Sequence, residues 1–290
     1  MSTPRFLTLP ASARSVRLAT ARGEFAALHA RPPVGPTLGT ALLVPGFSGS
    51  KEDFIALLEP LADAGFQVVA IDQRGQYETG GPDDESAYSL EALALDLLAV
   101  TEVLPRGEAP VHLLGHSFGG YVVREAVLRS ANALPWDSLT LMSTGPGVVG
   151  AEEGERAKLL VSVLPVMDLE AIWQAMQEMD AANGADQELP EDIQDFLHRR
   201  WLANVPAALA VTGRQLTEEP DRVDALAKAG LPTLVLSGEA DYAWPVAEQA
   251  AMAQRLGAPY VAVEGANHSP NAERPASTAA ALADFWHGVG

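Results

Sequence analysis

One serine of this chain stands in a sequence context that is typical of a catalytic nucleophile. Ser117 is the central residue of a Gly-x-Ser-x-Gly pattern at positions 115–119. The apolar run 111–114 predicts a short buried strand before it, and residues 121–128 have the spacing of a helix. Such a strand–turn–helix connection exposes the serine hydroxyl at its tip, above the positive end of the helix. We expect both glycines of the pattern to be required, because a Cβ at either position would collide with neighbouring backbone.

A serine hydroxyl is a poor nucleophile at neutral pH, so it needs a general base and an acid that orients the base. His268 follows the last predicted strand, on a loop at the carboxyl edge of the sheet, where sites form in open α/β sheets. Asp241 follows the preceding strand in the same way, and Glu239 is a nearby alternative acid. We therefore predict that Ser117, His268 and Asp241 are the catalytic residues. The alternative uses are a polar loop histidine and an ordinary loop acid or helix cap.

The tetrahedral intermediate of acyl transfer also needs fixed backbone donors that bind its oxyanion. One donor is expected to be the backbone N–H of Phe118, the residue after the nucleophile. The other is expected to come from the loop after the predicted strand 41–44, where Pro45-Gly46 lets the backbone approach closely. We assign this second donor to the backbone N–H of Phe47. The alternative is that Pro45-Gly46 only turns the chain.

Strands and helices alternate along most of the chain, which predicts a mostly parallel sheet with helices on both faces. Two short strands separated by a turn predict a hairpin near the beginning. The predicted strands are 16–20, 25–30, 41–44, 66–71, 111–114, 139–142, 233–236 and 260–263. The predicted helices of this part are 54–64, 90–104, 121–132, 222–229, 245–256 and 275–286.

The alternation stops in the middle of the chain, where only helical patterns are found. Turn residues at Asn183-Gly184 and at 189–191 separate some of them. The predicted helices of this stretch are 156–164, 169–179, 193–202 and 207–211. We predict a helical cap insertion, 147–217, between two parts of one core, 1–146 and 218–290.

The composition excludes several classes of function. The chain has 290 residues, of which 48% are hydrophobic and 20% charged, as in one large α/β domain with an insertion. A formal net charge of -19 argues against nucleic acid and anionic membranes as partners. The absence of cysteine excludes disulfides, Cys-based zinc sites and thiol nucleophiles. We expect a cytoplasmic monomer or homodimer that acts on a small molecule without a metal or cofactor.

Taken together, these motifs resemble the α/β-hydrolase family over nearly all of the chain. The order of Ser117, Asp241 and His268 is the family's order of nucleophile, acid and histidine. The resemblance implies an eight-stranded, mostly parallel sheet with one antiparallel edge pair, and a helical cap inserted after the sixth strand. The matching segments are Pro45-Gly46-Phe47, Asp72-Gln73-Arg74-Gly75, Gly115-His116-Ser117-Phe118-Gly119-Gly120, Gly238-Glu239-Ala240-Asp241 and Asn267-His268.

The sequence departs from the family pattern in two loops that border the expected pocket. Pro45 stands where many members have histidine, and Gln76-Tyr77-Glu78 stands where many have Gly-x-Gly or Gly-x-Ser. The substrate class therefore cannot be carried over from the family. We interpret Asp72 and Arg74 as a structural pair that shapes the second of these loops.

The predicted function is that of a serine hydrolase that cleaves a small, largely apolar carboxylic ester, thioester or lactone through an acyl-enzyme. Carbon–carbon bond hydrolysis, perhydrolysis and acyl transfer use the same residues and stay open, as does a slow-turnover hydrolase-like protein that senses a ligand. Residues expected to line the pocket, in addition to Phe47 and Phe118, are Tyr242, Trp244, Trp173, Met176 and Trp201. The alternative for the aromatic and methionine residues at helical spacing is packing within the cap.

Overall fold

A computed structural model describes residues 2–130, 133–182 and 189–289. Within them, eight strands form one sheet in the order β1-β2-β4-β3-β5-β6-β7-β8. Strand β2 is antiparallel to β1 and to β4, and the other neighbouring strands are parallel. The strands are β1 (Ala13–Thr20), β2 (Gly23–Ala30), β3 (Gly39–Val44), β4 (Phe66–Ile71), β5 (Val111–His116), β6 (Ser138–Met142), β7 (Thr233–Gly238) and β8 (Tyr260–Val263).

Helices cover both faces of this sheet. Two 3₁₀ turns, Lys51–Phe54 and Glu85–Tyr88, lead into the first two α-helices. The α-helices of the described residues are α1 (Ile55–Asp63), α2 (Leu90–Glu102), α3 (Phe118–Arg129), α4 (Ala151–Val163), α5 (Leu169–Ala182), α6 (Glu191–Leu202), α7 (Pro206–Glu218), α8 (Val223–Ala227), α9 (Val246–Leu256), α10 (Pro270–Glu273) and α11 (Pro275–His287). None of these helices is long and apolar enough to cross a membrane.

The apolar runs of the sequence become the centre of the sheet. Every residue of β3, β4, β5 and β6 is buried, as expected of strands covered on both faces. Successive side chains point to opposite faces, so Leu42 and Val44 pack in the layer with α2 and α3. Ala41 and Leu43 pack in the opposite layer with α1 and α11. The two hydrophobic layers hold the carboxyl ends of the central strands in fixed positions.

The predicted sheet is confirmed, with its hairpin at one edge and helices on both faces. Helix α2 begins at the predicted residue 90, where the Ser89 hydroxyl caps it by accepting a hydrogen bond from the backbone N–H of Ala92. Helix α4 begins at Ala151, before the predicted residue 156. The sequence did not predict this start, because the first residues of the helix show no apolar periodicity. The short helix α10 was not predicted, since four residues are too few for a periodic pattern.

Helices α4 to α7 follow one another between β6 and β7, where the sequence predicted helices alone. The break predicted at Asn183-Gly184 lies outside the described residues, while Pro190 does precede the first residue of α6. A small hydrophobic cluster, centred on Ile172, Trp201 and Leu209, joins these helices to Phe47 of the core. The helices therefore lie against the loop that follows β3.

The interpretation of Asp72 and Arg74 as a pair is wrong. Asp72 accepts hydrogen bonds from both the backbone N–H (2.7 Å) and the Nζ (3.0 Å) of Lys51. Arg74 binds Asp96 of α2 through its Nε (2.6 Å) and one terminal nitrogen (2.7 Å). Each side chain meets an opposite charge on a neighbouring element, so the two residues fix the loop after β4 to different parts of the core.

Candidate active site

The serine of the Gly-x-Ser-x-Gly pattern lies in a strained turn between β5 and α3. Ser117 has φ 55° and ψ -123°, in the left-handed half of backbone space that non-glycine residues rarely adopt. Its backbone N–H donates to the Met142 carbonyl at 2.9 Å, which ties the turn to the end of β6. A Cβ at Gly115 would collide with the carbonyl of Gly119, and one at Gly119 with the carbonyl of Val44. The expectation that both glycines are required is confirmed.

The structure places the three predicted catalytic side chains in one hydrogen-bonded row. His268, on the loop between β8 and α10, has its Nε2 3.0 Å from the Ser117 hydroxyl oxygen. The Nδ1 of the same ring is 2.9 Å from Oδ1 of Asp241, on the loop after β7. An ionised carboxylate only accepts hydrogen bonds, so the His268 Nδ1 carries the hydrogen that binds Asp241. The Nε2 of the neutral ring then accepts a hydrogen bond from the Ser117 hydroxyl. All three residues are buried.

Asp241 is held in place as an ionised acid. Burial alone would raise its pKa, but hydrogen bonds from His268, Gln249 and the backbone N–H of Ala243 outweigh this, and the pKa is lowered. The Gln249 amide nitrogen lies 2.9 Å from Oδ2, and the Ala243 nitrogen lies 2.9 Å from Oδ1. The alternative acid, Glu239, accepts the backbone N–H of Gly265 instead. Of the two candidate acids, the structure brings Asp241 to the imidazole.

Two further residues hold the backbone of the His268 loop. The carboxylate of Glu273 accepts the backbone N–H groups on both sides of the histidine, those of Asn267 and Ser269. The ring of His116 lies 2.9 Å from the His268 carbonyl oxygen through its Nε2. Burial lowers the pKa of His116 to about 3, so this ring is neutral and its Nε2–H donates to the His268 carbonyl oxygen.

Sequence reasoning missed the roles of Gln249, Glu273 and His116. His116 lies inside the motif, and Glu273 stands in the first turn after Pro270, so their positions offered a weak signal. Gln249 lies on α9 and offered none, because only the packing of that helix brings its amide to Asp241.

The two predicted oxyanion donors flank the nucleophile. Phe118 is the first residue of α3, where the N–H has no partner within the helix. Neither its N–H nor that of Phe47 donates a hydrogen bond to any part of the chain that the structure describes. The loop of Phe47 comes close to the serine, since a Cβ on Gly46 would lie 2.9 Å from the Cβ of Ser117. Both amides are therefore free to bind a ligand oxygen.

The residues expected to line the pocket fall into two groups. Tyr242 and Trp244 flank His268, with ring centroids 5.3 Å and 6.0 Å from that of its imidazole. Trp244 is fully buried, and its indole N–H is 3.1 Å from the carbonyls of Gly147 and Val148, so it packs behind the site. The other three belong to the hydrophobic cluster that contains Phe47, and this cluster does not include His268: Trp173, Met176 and Trp201. Tyr242 is half exposed.

A cleft of about 580 Å³ lies beside the His268 loop. Residues 3–5, the beginning of α6 and Tyr242 line it, together with Asn267 and Ser269. Ser117 is not among its lining residues, whereas Tyr242, which was expected to line the pocket, is. Among the residues with described positions, no group of three or more His, Cys, Asp or Glu side chains could hold a metal ion.

Comparison with known proteins gives relatives of several activities. The chain is 27% identical to the proline iminopeptidase of Lacticaseibacillus rhamnosus, over 71% of this chain and 75% of the relative. It is 24% identical to epoxide hydrolase A of Mycobacterium tuberculosis, over 88% of this chain and 92% of that protein. A thermophilic esterase from Thermogutta terrifontis, solved with malate bound, superposes with a TM-score of 0.72 at 26% identity, covering 95% of this chain and 99% of the esterase.

Although these relatives differ in activity, the comparison identifies the family to which the chain belongs. The model of the alpha/beta hydrolase family matches residues 41–281, which include the loop after β3, Ser117, the inserted helices, Asp241 and His268. The eight-stranded sheet and its flanking helices have the arrangement of the superposed esterase. The chain is an enzyme of the alpha/beta hydrolase family.

Proposed function

We propose that this enzyme is a serine hydrolase that cleaves a small carboxylic ester through an acyl-enzyme. The observation that carries the proposal is the row of hydrogen bonds from Asp241 through His268 to the Ser117 hydroxyl. In this mechanism His268 Nε2 takes the hydroxyl proton as the serine oxygen attacks the ester carbonyl. The protonated ring, stabilised by Asp241, gives the proton to the leaving alcohol. His268 then deprotonates a water that releases the acid and restores the serine.

The proposed oxyanion hole consists of the backbone N–H groups of Phe47 and Phe118. Both lie beside Ser117 and neither has an acceptor in the described parts of the chain. Donors that are already fixed stabilise the tetrahedral oxyanion without reorganisation during the reaction.

The nucleophile favours an acyl substrate over an epoxide, although one relative is an epoxide hydrolase. Attack of Ser117 on an epoxide carbon would form an alkyl ether, which a histidine-activated water does not cleave. Attack on a carbonyl forms an ester, which the same water does cleave. A chain with serine at position 117 is therefore suited to turnover on esters, thioesters and lactones.

We assign residues 147–217 as a cap over the site, carried by a core of 1–146 and 218–290. The proposal is supported by the cluster that joins Trp173, Met176 and Trp201 to Phe47. An acyl group bound to Ser117 would extend from the oxyanion loop toward these side chains. Their apolar character favours an uncharged acyl group.

The test is a substrate panel run with the wild-type enzyme and Ser117→Ala. The panel contains p-nitrophenyl acetate, butyrate and octanoate, a γ-lactone, a thioester, a β-diketone, prolyl p-nitroanilide and styrene oxide. We expect turnover of at least one ester, thioester or lactone, and its loss in Ser117→Ala by about 10⁴-fold or more. Turnover of the epoxide or the diketone alone, or full activity of the alanine variant, would refute the proposal.

A further inference from the structure

The loop after β4 contacts the loop that carries the proposed oxyanion donor. This loop contains Gln76, at the position where the sequence departs from its family pattern. We propose that Gln76 is a positioning residue, which aims the Phe47 N–H into the oxyanion hole by holding the peptide group between Gly46 and Phe47. The inference rests on the proposed function and adds a side chain to it.

The contact is direct and buried. The Gln76 amide nitrogen donates to the Gly46 carbonyl oxygen at 2.8 Å. The Gln76 amide oxygen accepts the backbone N–H of Gln73 at 3.0 Å. Since the Gly46 carbonyl can only accept and the Gln73 N–H can only donate, the two ends of the Gln76 amide cannot be exchanged. The side chain is 7% exposed, so water does not readily replace it.

The geometry of a peptide group converts this contact into an orientation of the donor. The structure has no cis peptide bond among its described residues, so the Gly46 carbonyl and the Phe47 N–H point in opposite directions across one planar unit. Fixing the carbonyl toward Gln76 fixes the N–H on the other side. The Gly49 N–H also donates to this carbonyl, at 3.2 Å, within a tight turn in which Ser48 has φ 49°.

The same bond has an electronic consequence. A carbonyl that accepts hydrogen bonds polarises its peptide group, which makes the N–H on the other side a stronger donor. Gln76 would therefore act on the oxyanion both by orientation and by donor strength. Both effects grow as negative charge develops on the substrate oxygen. Their removal should therefore lower kcat and leave substrate binding largely unchanged.

The experiment compares Gln76→Met and Gln76→Glu with Gln73→Met. Methionine keeps the size of the side chain and removes both hydrogen bonds, while glutamate keeps an acceptor for the Gln73 N–H and replaces the donor to Gly46 with a carboxylate oxygen that also brings a negative charge. Gln73→Met is the matched control, since the Gln73 amide donates at 2.9 Å to the Pro45 carbonyl, one peptide group away from Phe47. The readouts are kcat, KM and melting temperature on the best ester of the panel.

A second readout separates oxyanion stabilisation from general structure. Each variant is assayed on a matched ester and thionoester, in which sulfur replaces the carbonyl oxygen. Sulfur is a weak hydrogen-bond acceptor, so a thionoester gains little from the oxyanion donors. Damage to the oxyanion hole should therefore reduce the ratio of ester to thionoester rates, whereas loosening of the fold should reduce both rates together.

We expect both Gln76 variants to lower kcat on the ester by about 10- to 100-fold, with KM within threefold and a reduced ester-to-thionoester ratio. Gln73→Met should change kcat by less than fivefold and leave the ratio unchanged. Folded Gln76 variants with wild-type kcat and ratio would overturn the inference, as would equal losses on both substrates. Ser117→Ala tests the proposed function separately. If Ser117→Ala is inactive while the Gln76 variants are unaffected, this inference is refuted and the proposed function is not.

Discussion

The turn that carries Ser117 and the inserted helices differ in how firmly the rest of the molecule holds them. In α3, ten of twelve residues are buried, whereas Ile172 is the buried residue of α5. Large apolar side chains of the inserted helices are exposed, among them Leu159 of α4 and Met179 of α5. Packing of the core therefore determines the geometry of the proposed catalytic residues. The inserted helices are less constrained by packing.

The largest effect expected from this comparison concerns the acid of the core. Asp241→Asn should lower kcat by about 10³- to 10⁴-fold, because an amide at Oδ1 favours the wrong tautomer of His268. Glu239→Gln on the same loop is the matched control and should stay within threefold of the wild type. Steady-state kinetics on the best ester measures both. A greater loss in Glu239→Gln than in Asp241→Asn would show that the wrong acid has been assigned.

The second prediction compares the substitution of a glycine in the turn with that of a glycine in the inserted helices. A Cβ at Gly119 would meet the carbonyl oxygens of Val44 and Pro45, so Gly119→Ala should destabilise the protein by about 3 kcal/mol. A Cβ at Gly213 of α7 would meet Val161 Cγ2 at 2.9 Å. That side chain can move, and alanine favours helix by up to about 1 kcal/mol, so Gly213→Ala should stay within 1 kcal/mol of the wild type.

Chemical denaturation at pH 7 measures the free energies of unfolding of both variants. Equal losses of unfolding free energy in the two variants would mean that the turn and the insertion are held equally firmly. That result would contradict the difference between the two regions.

The smallest effect concerns pH and the buried ring of His112 on β5. Burial lowers its pKa to about 4, while the unfolded chain has an ordinary value near 6.5. The unfolded state therefore binds more protons as the pH falls below 6.5, and stability is lost in that direction. From pH 6.5 to 5.0 this one ring should account for a loss of about 1.6 kcal/mol by linkage.

His112→Asn should remove this part of the acid sensitivity, whatever it does to stability at neutral pH. Denaturation of both proteins at pH 5.0, 6.5 and 8.0 measures the difference. Above pH 7.5 the two stabilities should run parallel. An equal loss in both proteins between pH 6.5 and 5.0 would show that the ring is protonated in the folded state.

The sequence predicted those features that depend on apolar runs and on loops after strands. Apolar runs predict most of the strands, and Asp241 and His268 are predicted as site residues because each follows a strand at one sheet edge. It could not predict contacts that depend on where a helix places one side chain, as with Gln249 of α9. The partners of Asp72 and Arg74 were missed for the same reason, because tertiary packing determines them. The start of α4 was missed because its first residues show no apolar periodicity.

The most direct test of the central claim is labelling with a fluorophosphonate, followed by mass-spectrometric mapping of the modified residue. We expect one label per chain, on Ser117, with labelling slowed at least 10³-fold in His268→Ala. A label on another residue, or labelling of Ser117 at an unchanged rate without the imidazole, would contradict the claim.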